Sequence, residues 1–208
     1  MTSRSGHSGR VSTLRELFVL VSMGDHQRVT AVLDVTPSLV TVGLARSDEF
    51  FLAEWSAQIY QGATSLHIAG FSYNAEMARE LIARGAGCRA KDRRGAEPLH
   101  AATMGAPGNS TWNPRRQQEV MSCLIEAGAD PNAAAVGGVT PLHRAVRNRC
   151  SAAVETLLRA GADPGLRNKG GSTPADLAHW PTGRGGSGAA AAKAEQRAIL
   201  ELLNLHHT

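Results

Sequence analysis

Aromatic residues are scarce in this chain, only 4% of its 208 residues. The apolar work therefore falls to Ala, Gly and Leu, small side chains that suit closely stacked helices. Cysteine is scarcer still. Cys88, Cys123 and Cys150 are odd in number, far apart and free of any C-x-x-C pair, which excludes a disulfide framework and a cysteine zinc site. Reduced thiols and a cytoplasmic setting are the expectation. No apolar run approaches the eighteen or so residues of a membrane span. Residues 1–10 are Ser/Gly-rich and lack the apolar stretch of a secretory signal. An excess of one charge is also missing. Twenty-two basic against 18 acidic residues leave a net +4, too dilute for the basic stripe of a dedicated nucleic-acid binder.

What is present is a repeat. Gly62-Ala-Thr-Ser-Leu-His-Ile-Ala69, Gly95-Ala-Glu-Pro-Leu-His-Ala-Ala102, Gly138-Val-Thr-Pro-Leu-His-Arg-Ala145 and Gly171-Ser-Thr-Pro-Ala-Asp-Leu-Ala178 align with one another, their starts 33, 43 and 33 residues apart. A second signature trails the first three: Leu81-Ile-Ala-Arg-Gly-Ala86, Leu124-Ile-Glu-Ala-Gly-Ala129 and Leu157-Leu-Arg-Ala-Gly-Ala162. Ten extra residues thus fall between the two signatures of the second unit. The doubled signature at a fixed period resembles the ankyrin-repeat family, whose mark is a period of about 33 residues carrying T-P-L-H-x-A. The resemblance implies an all-α solenoid: a flexible tail over 1–13, a capping repeat over 14–41, full repeats over 62–94, 95–137 and 138–170, and a divergent C-terminal cap over 171–208.

The motif also has a direct physical reading. Thr140 is an N-cap whose hydroxyl can satisfy an orphan amide. Pro141 takes the first helical position, where its missing N–H costs nothing. Gly161 supplies a left-handed C-cap. The departures carry information: Ser65 replaces Pro, Glu97 replaces the capping Thr, and Ala175-Asp176 replaces Leu-His in a unit that reads as terminal. At the ends, Leu14 to Val21 and Gly24 to Leu33 read as two helices joined at Gly24. Ala194 to Leu205 reads as an amphipathic helix with Ile199, Leu202 and Leu203 inward. Between them, 181–192 reads as a Gly/Ala/Ser-rich flexible insertion.

Two segments lie outside the repeat. Residues 42–61 hold Phe50, Phe51, Trp55 and Tyr60. They read as a short extra helix sealing the stack, or as an aromatic anchor for a partner. Residues 105–118, with Trp112 beside Arg115 and Arg116, read as a loop that is a tolerated insertion or a specificity element.

Catalytic signals are weak. His67, His100 and His143 recur at one repeat position, and the family resemblance gives that His a structural role, bonded to the capping Thr and nearby backbone. Asp48, Glu49 and Glu54 cluster, but a solvated charged face explains them without a partner nucleophile. No metal-ligand or phosphate-loop spacing occurs, so no metal and no cofactor are expected. The resemblance places a partner on the concave face of finger tips and first helices, which gives Tyr60, Gln61, Phe71, Arg93, Arg94, Met104, Arg147, Asn148, Lys169 and Trp180, with Trp112 added from the inserted loop. The expected function is a monomeric, non-catalytic protein-interaction module whose partner offers an acidic surface. Two alternatives stay open: an enzyme with a pocket between 42–61 and the first full repeat, and a weak nucleic-acid binder.

Overall fold

A computed structural model describes residues 5–55, 57–179 and 190–205, with side chains described from residue 14 to 204 within these ranges. Each repeat contributes two antiparallel helices. Helices α3 (Ser65–Phe71), α5 (Pro98–Ala102), α7 (Pro141–Arg147) and α9 (Pro174–His179) are the first helices of successive units, and each packs on the next. Helices α4 (Ala75–Ala83), α6 (Pro114–Glu126) and α8 (Ser151–Arg159) form the second layer. Leu66, Leu81, Leu99, Met121, Leu124, Leu142 and Leu157 are fully buried between the layers. Close stacking depends on small residues: a Cβ at Gly70 would lie 2.8 Å from the Pro98 carbonyl oxygen of the next repeat.

Finger tips link the repeats edge to edge. Arg93 N–H donates to the Gln61 carbonyl (2.7 Å), Val136 to Arg94 (2.8 Å) and Lys169 to Gly137 (2.8 Å). The glycine opening each motif makes this approach feasible. Gly62 sits at φ +83°, and a Cβ there would meet the Lys91 carbonyl oxygen at 2.6 Å. Gly171, at the same place in the last unit, shares the left-handed conformation (φ +81°) but has nothing within 4 Å among the described residues. It is the outermost finger.

The ends are capped by helices. Helices α1 (Ser5–Met23) and α2 (His26–Val35) join at Gly24, Asp25 caps α2 by accepting from Arg28 N–H, and α1 packs on α3. Helix α1 begins nine residues before Leu14, so the tail expected over 1–13 is helical from Ser5. Once Leu14, Leu17, Phe18 and Val21 dock, extending the helix N-terminally adds one hydrogen bond per residue fixed, and weak propensity does not stop it. At the far end, α10 (Ala190–Leu205) packs on α8 and α9. Ile199 and Leu203 are buried as expected, while Leu202 is half-buried. Glu195 of α10 accepts from Ser151 N–H (2.7 Å), capping α8 where Cys150 gives no side-chain cap. The expected insertion at 181–192 falls outside the described residues up to 189, and 190–192 belong to α10.

Residues 42–61 do not form the expected helix. Strands β1 (Phe50–Leu52) and β2 (Ala57–Ile59) make an antiparallel hairpin with Phe50 opposite Ile59 and Phe51 opposite Gln58. Alternation explains this: Phe50, Leu52, Ala57 and Ile59 are buried and Phe51 is exposed, a period of two that a helix cannot satisfy. The loop expected over 105–118 is also shorter. Pro114 starts α6, capped by Asn113, so residues 114–118 are helical.

Candidate partner-binding groove

The repeated histidines are spent on the fold. In His67, Nδ1 accepts from the Thr64 N–H (3.1 Å), and Nε2 reaches the Ala96 carbonyl of the next repeat (3.0 Å). His143 does the same with Thr140 N–H (3.3 Å) and the Ser172 carbonyl (3.0 Å), and His100 with Glu97 N–H (3.2 Å) and the Val139 carbonyl (3.1 Å). Because Nδ1 accepts, the proton sits on Nε2, and each ring ties its own helix start to its neighbour. Burial holds all three imidazoles below their ordinary range, His100 down to about 3. They are neutral, buried struts. Asp176, in the last unit, accepts from Thr173 N–H (2.8 Å) and the Thr173 hydroxyl (2.9 Å) and lies 3.7 Å from Arg167 Nη1.

Two adjoining hollows open on the concave face. The first, about 290 Å³, lies between the hairpin and the first helices, with Phe51, Ile59, Tyr60, Phe71, Met104 and Arg144 among its walls. The second, about 250 Å³, is lined by Arg93, Arg94, Val136, Val139, Arg144 and Arg147. Arg94 and Arg144 line both. Phe51 (57% exposed) and Val136 (70% exposed) are large apolar side chains open to solvent at these hollows.

Four of the sequence-predicted residues, Tyr60, Phe71, Arg94 and Met104, converge on the first hollow, and Arg93, Arg94 and Arg147 on the second. Tyr60 is clasped by Arg93 (4.6 Å) and Arg94 (5.2 Å), with Arg94 Nη1 donating to its hydroxyl at 3.3 Å. Arg93 is also paired with Glu49, Nη2 to Oε2 at 3.1 Å, so its charge is compensated within the chain. Gln61 is exposed, but its backbone serves the finger ladder. Asn148 is buried and donates to the Thr103 carbonyl (2.9 Å). Trp112 is half-buried. Its Nε1 donates to Gln117 Oε1 (3.0 Å), and the buried Gln117 in turn donates to the Ala102 (2.9 Å) and Met104 (3.2 Å) carbonyls. It lines neither hollow. Lys169 stands beside a third cavity of about 490 Å³ at the C-terminal end. Trp180 lies outside the described residues.

The repeat positions did not single out Ile59, Val136 or Arg144, and Phe51 was marked only as one of the aromatics of 42–61. Arg144 had a signal: it is the variable residue after the repeat His, and its counterparts Ile68 and Ala101 line the same hollow. The hairpin aromatics divide. Phe50 packs on Phe18, and Trp55 packs edge-on against Phe71 (5.8 Å) and Tyr73 (5.9 Å), all structural contacts, while Phe51 stays on the surface.

Asp48, Glu49 and Glu54 do not line the hollow beside the hairpin. Hydrogen bonds from the Arg93 guanidinium and then the Gln61 amide hold the Glu49 carboxyl below the usual range, an ion pair rather than a base in waiting. The hollow's one carboxylate, Asp92, uses Oδ1 to accept from the Arg94 (2.8 Å) and Ala96 (2.9 Å) amides. Burial pushes the Cys150 thiol up to about 12, which makes it a poor nucleophile. Among the described residues no group of three or more His, Cys, Asp or Glu side chains could hold a metal, and no helix is long and apolar enough to cross a membrane.

No curated protein matches this chain. Ankyrin repeats are generally protein–protein interaction modules and typically non-enzymatic scaffolds. Residues 66–168 match the family model described as ankyrin repeats, in three copies, and together with the stacked helix pairs, the finger ladder and the histidine struts this makes the chain a member of the ankyrin-repeat family.

Proposed function

We propose that the chain is a non-catalytic, monomeric, cytoplasmic scaffold that holds a protein partner with an acidic surface against its concave face. The observation that carries this reading is the pair of adjoining hollows, one largely apolar and one edged by Arg94, Arg144 and Arg147. Aromatic and arginine side chains supply much of the binding energy at interfaces, and basic residues facing an acidic partner raise association rate and fix orientation. The reading is tested by capturing a partner on the immobilised chain and measuring its affinity for the Arg94→Glu/Arg147→Glu double variant. A loss of about tenfold or more is expected, since each charged contact is worth about 1.5–3 kcal/mol. Unchanged affinity sinks the concave-face reading. A steep loss of affinity with salt, coupled with displacement of the partner by duplex DNA, would reassign the groove to nucleic acid.

A further inference from the structure

A further hollow, of about 150 Å³, lies where α3, α5 and α7 end, between the turn of the hairpin and the loop that follows α5. Trp55, Phe71 and Tyr73 line it, three of only nine aromatic residues in the chain, and Met104 completes its apolar walls. The planes of Trp55 and Phe71 meet at 66°, and those of Trp55 and Tyr73 at 86°. Rings so inclined are walls of an enclosure rather than layers of a stack. The enclosure is held in place by its own hydrogen bonds: the Tyr73 hydroxyl donates to the Met104 carbonyl, and the Asn148 amide to the Thr103 carbonyl (2.9 Å).

A cavity of about 150 Å³ holds a benzene-sized guest, well short of the about 300–1,000 Å³ of pockets that take whole ligands. The guest is therefore one compact group. Among the described residues no charged side chain lines the hollow, so an anion finds no counter-charge there. A bare ammonium group would bring in three N–H donors, and donors buried without acceptors are costly. Asn109 Oδ1, on the exposed side, already accepts from the Thr111 N–H (3.2 Å) and hydroxyl (3.0 Å). A fully methylated ammonium group has no N–H to satisfy. Its methyls suit the apolar walls, and aromatic rings attract its charge.

From these observations we infer that this hollow is a binding site for a quaternary ammonium group, a trimethylammonium head borne by a free solute or by a trimethylated lysine side chain. The inference does not rest on the groove reading. The hollow shares Phe71 and Met104 with the apolar hollow of the concave face but none of its arginines.

The test is an NMR titration of the isotope-labelled full chain, following the Trp55 indole N–H. The probes are choline, its neutral analogue with carbon in place of the charged nitrogen, and ethanolamine, which lacks the methyl groups. Choline is expected to shift the signal saturably and ethanolamine to leave it unmoved. The neutral analogue should bind about fivefold or more weakly than choline, the advantage that an aromatic enclosure gives a cation. A short peptide of neutral residues centred on trimethyllysine is titrated beside its unmethylated counterpart. Saturable binding of choline or of the methylated peptide supports the site, and the tighter of the two identifies the source. Trp55→Leu keeps apolar bulk but removes one ring, and should weaken choline binding about fivefold or more, read on the Gly105 and Ala106 amide signals. Trp55 is half-buried, so should that variant melt early, the comparison of choline with its neutral analogue on the unmodified chain decides alone. Equal affinity for those two overturns a cation site. Equal affinity for choline and ethanolamine overturns the need for methylation, and the absence of a saturable shift with both choline and the methylated peptide overturns the site itself.

Discussion

At the scale of single residues, two departures from the T-P-L-H motif leave buried oxygens without a hydrogen-bond partner among the described residues, Ser65 Oγ and Glu97 Oε2. Ser65 stands where the motif has Pro, and Glu97 where it has Thr. Restoring the motif removes an unsatisfied buried polar group in each case, and Ser65→Pro also lowers the entropy of the unfolded chain. Ser65→Pro and Glu97→Thr are each expected to raise stability by about 1 kcal/mol in denaturant melts. Burial raises the Glu97 carboxyl above its ordinary range. The charged form is therefore the disfavoured one, and this residue's contribution is best at low pH and lost as pH rises through its folded value. The gain from Glu97→Thr should accordingly be largest near neutrality and shrink on acidification. The histidines act in the opposite sense. With folded values held below 6.5, they contribute stability above that pH and lose it as pH falls, across a window reaching down towards about 3 for His100. Melting temperature should decline from pH 7 to pH 5, with a limiting slope of about 1.4 kcal/mol per pH unit for each histidine. A flat profile would contradict their description as buried, neutral struts.

At the scale of elements, the fingers and the inserted loop make separate demands. Gly62 and Gly171 share a left-handed backbone, but only Gly62 abuts the next finger. Gly171→Ala should cost about 1 kcal/mol for the left-handed conformation alone. Gly62→Ala should cost clearly more, because its Cβ meets fixed backbone, and denaturant titration of the two variants separates the terms. The loop between α5 and α6 is held by Gln117, which bridges Trp112 to the carbonyls that end α5. Gln117→Ala should cost about 1–3 kcal/mol through the backbone acceptors left unpaired and shift Trp112 emission to the red. The pattern of Gly, Pro and Asn marked this stretch as a loop, but nothing local in sequence shows that a glutamine in the following helix reaches back to fasten it. The hairpin at 42–61 had a legible clue in its alternating apolar residues, and only the docked face of the stack decided which of its aromatics turn inward.

At the scale of the molecule, a solenoid is stabilised by nearest-neighbour interfaces, so damage at one end should stay local. Ile199 of α10 is 1% exposed against α8 and α9. Ile199→Ala is expected to cost about 2–4 kcal/mol and to raise amide hydrogen exchange in α8 and α9 while leaving α3 and α4 protected. Uniform loss of protection would mean that the stack unfolds as a single unit.

The 33-residue period was readable from sequence alone, because it is a local need repeated at a fixed spacing, and the family resemblance it carries implied the histidine struts. The groove was not. Tyr60, Phe71, Arg94 and Met104, read from their repeat positions as concave, line one hollow, whereas Val136 and Arg144 were not singled out and Asn148 is buried. Which exposed side chains share a hollow depends on how the hairpin lies across the first helices and on which arginine Glu49 takes as its partner. Those contacts join residues far apart in the chain, 44 positions for Glu49 and Arg93 and 34 for Tyr60 and Arg94, and they arise only when the repeats stack.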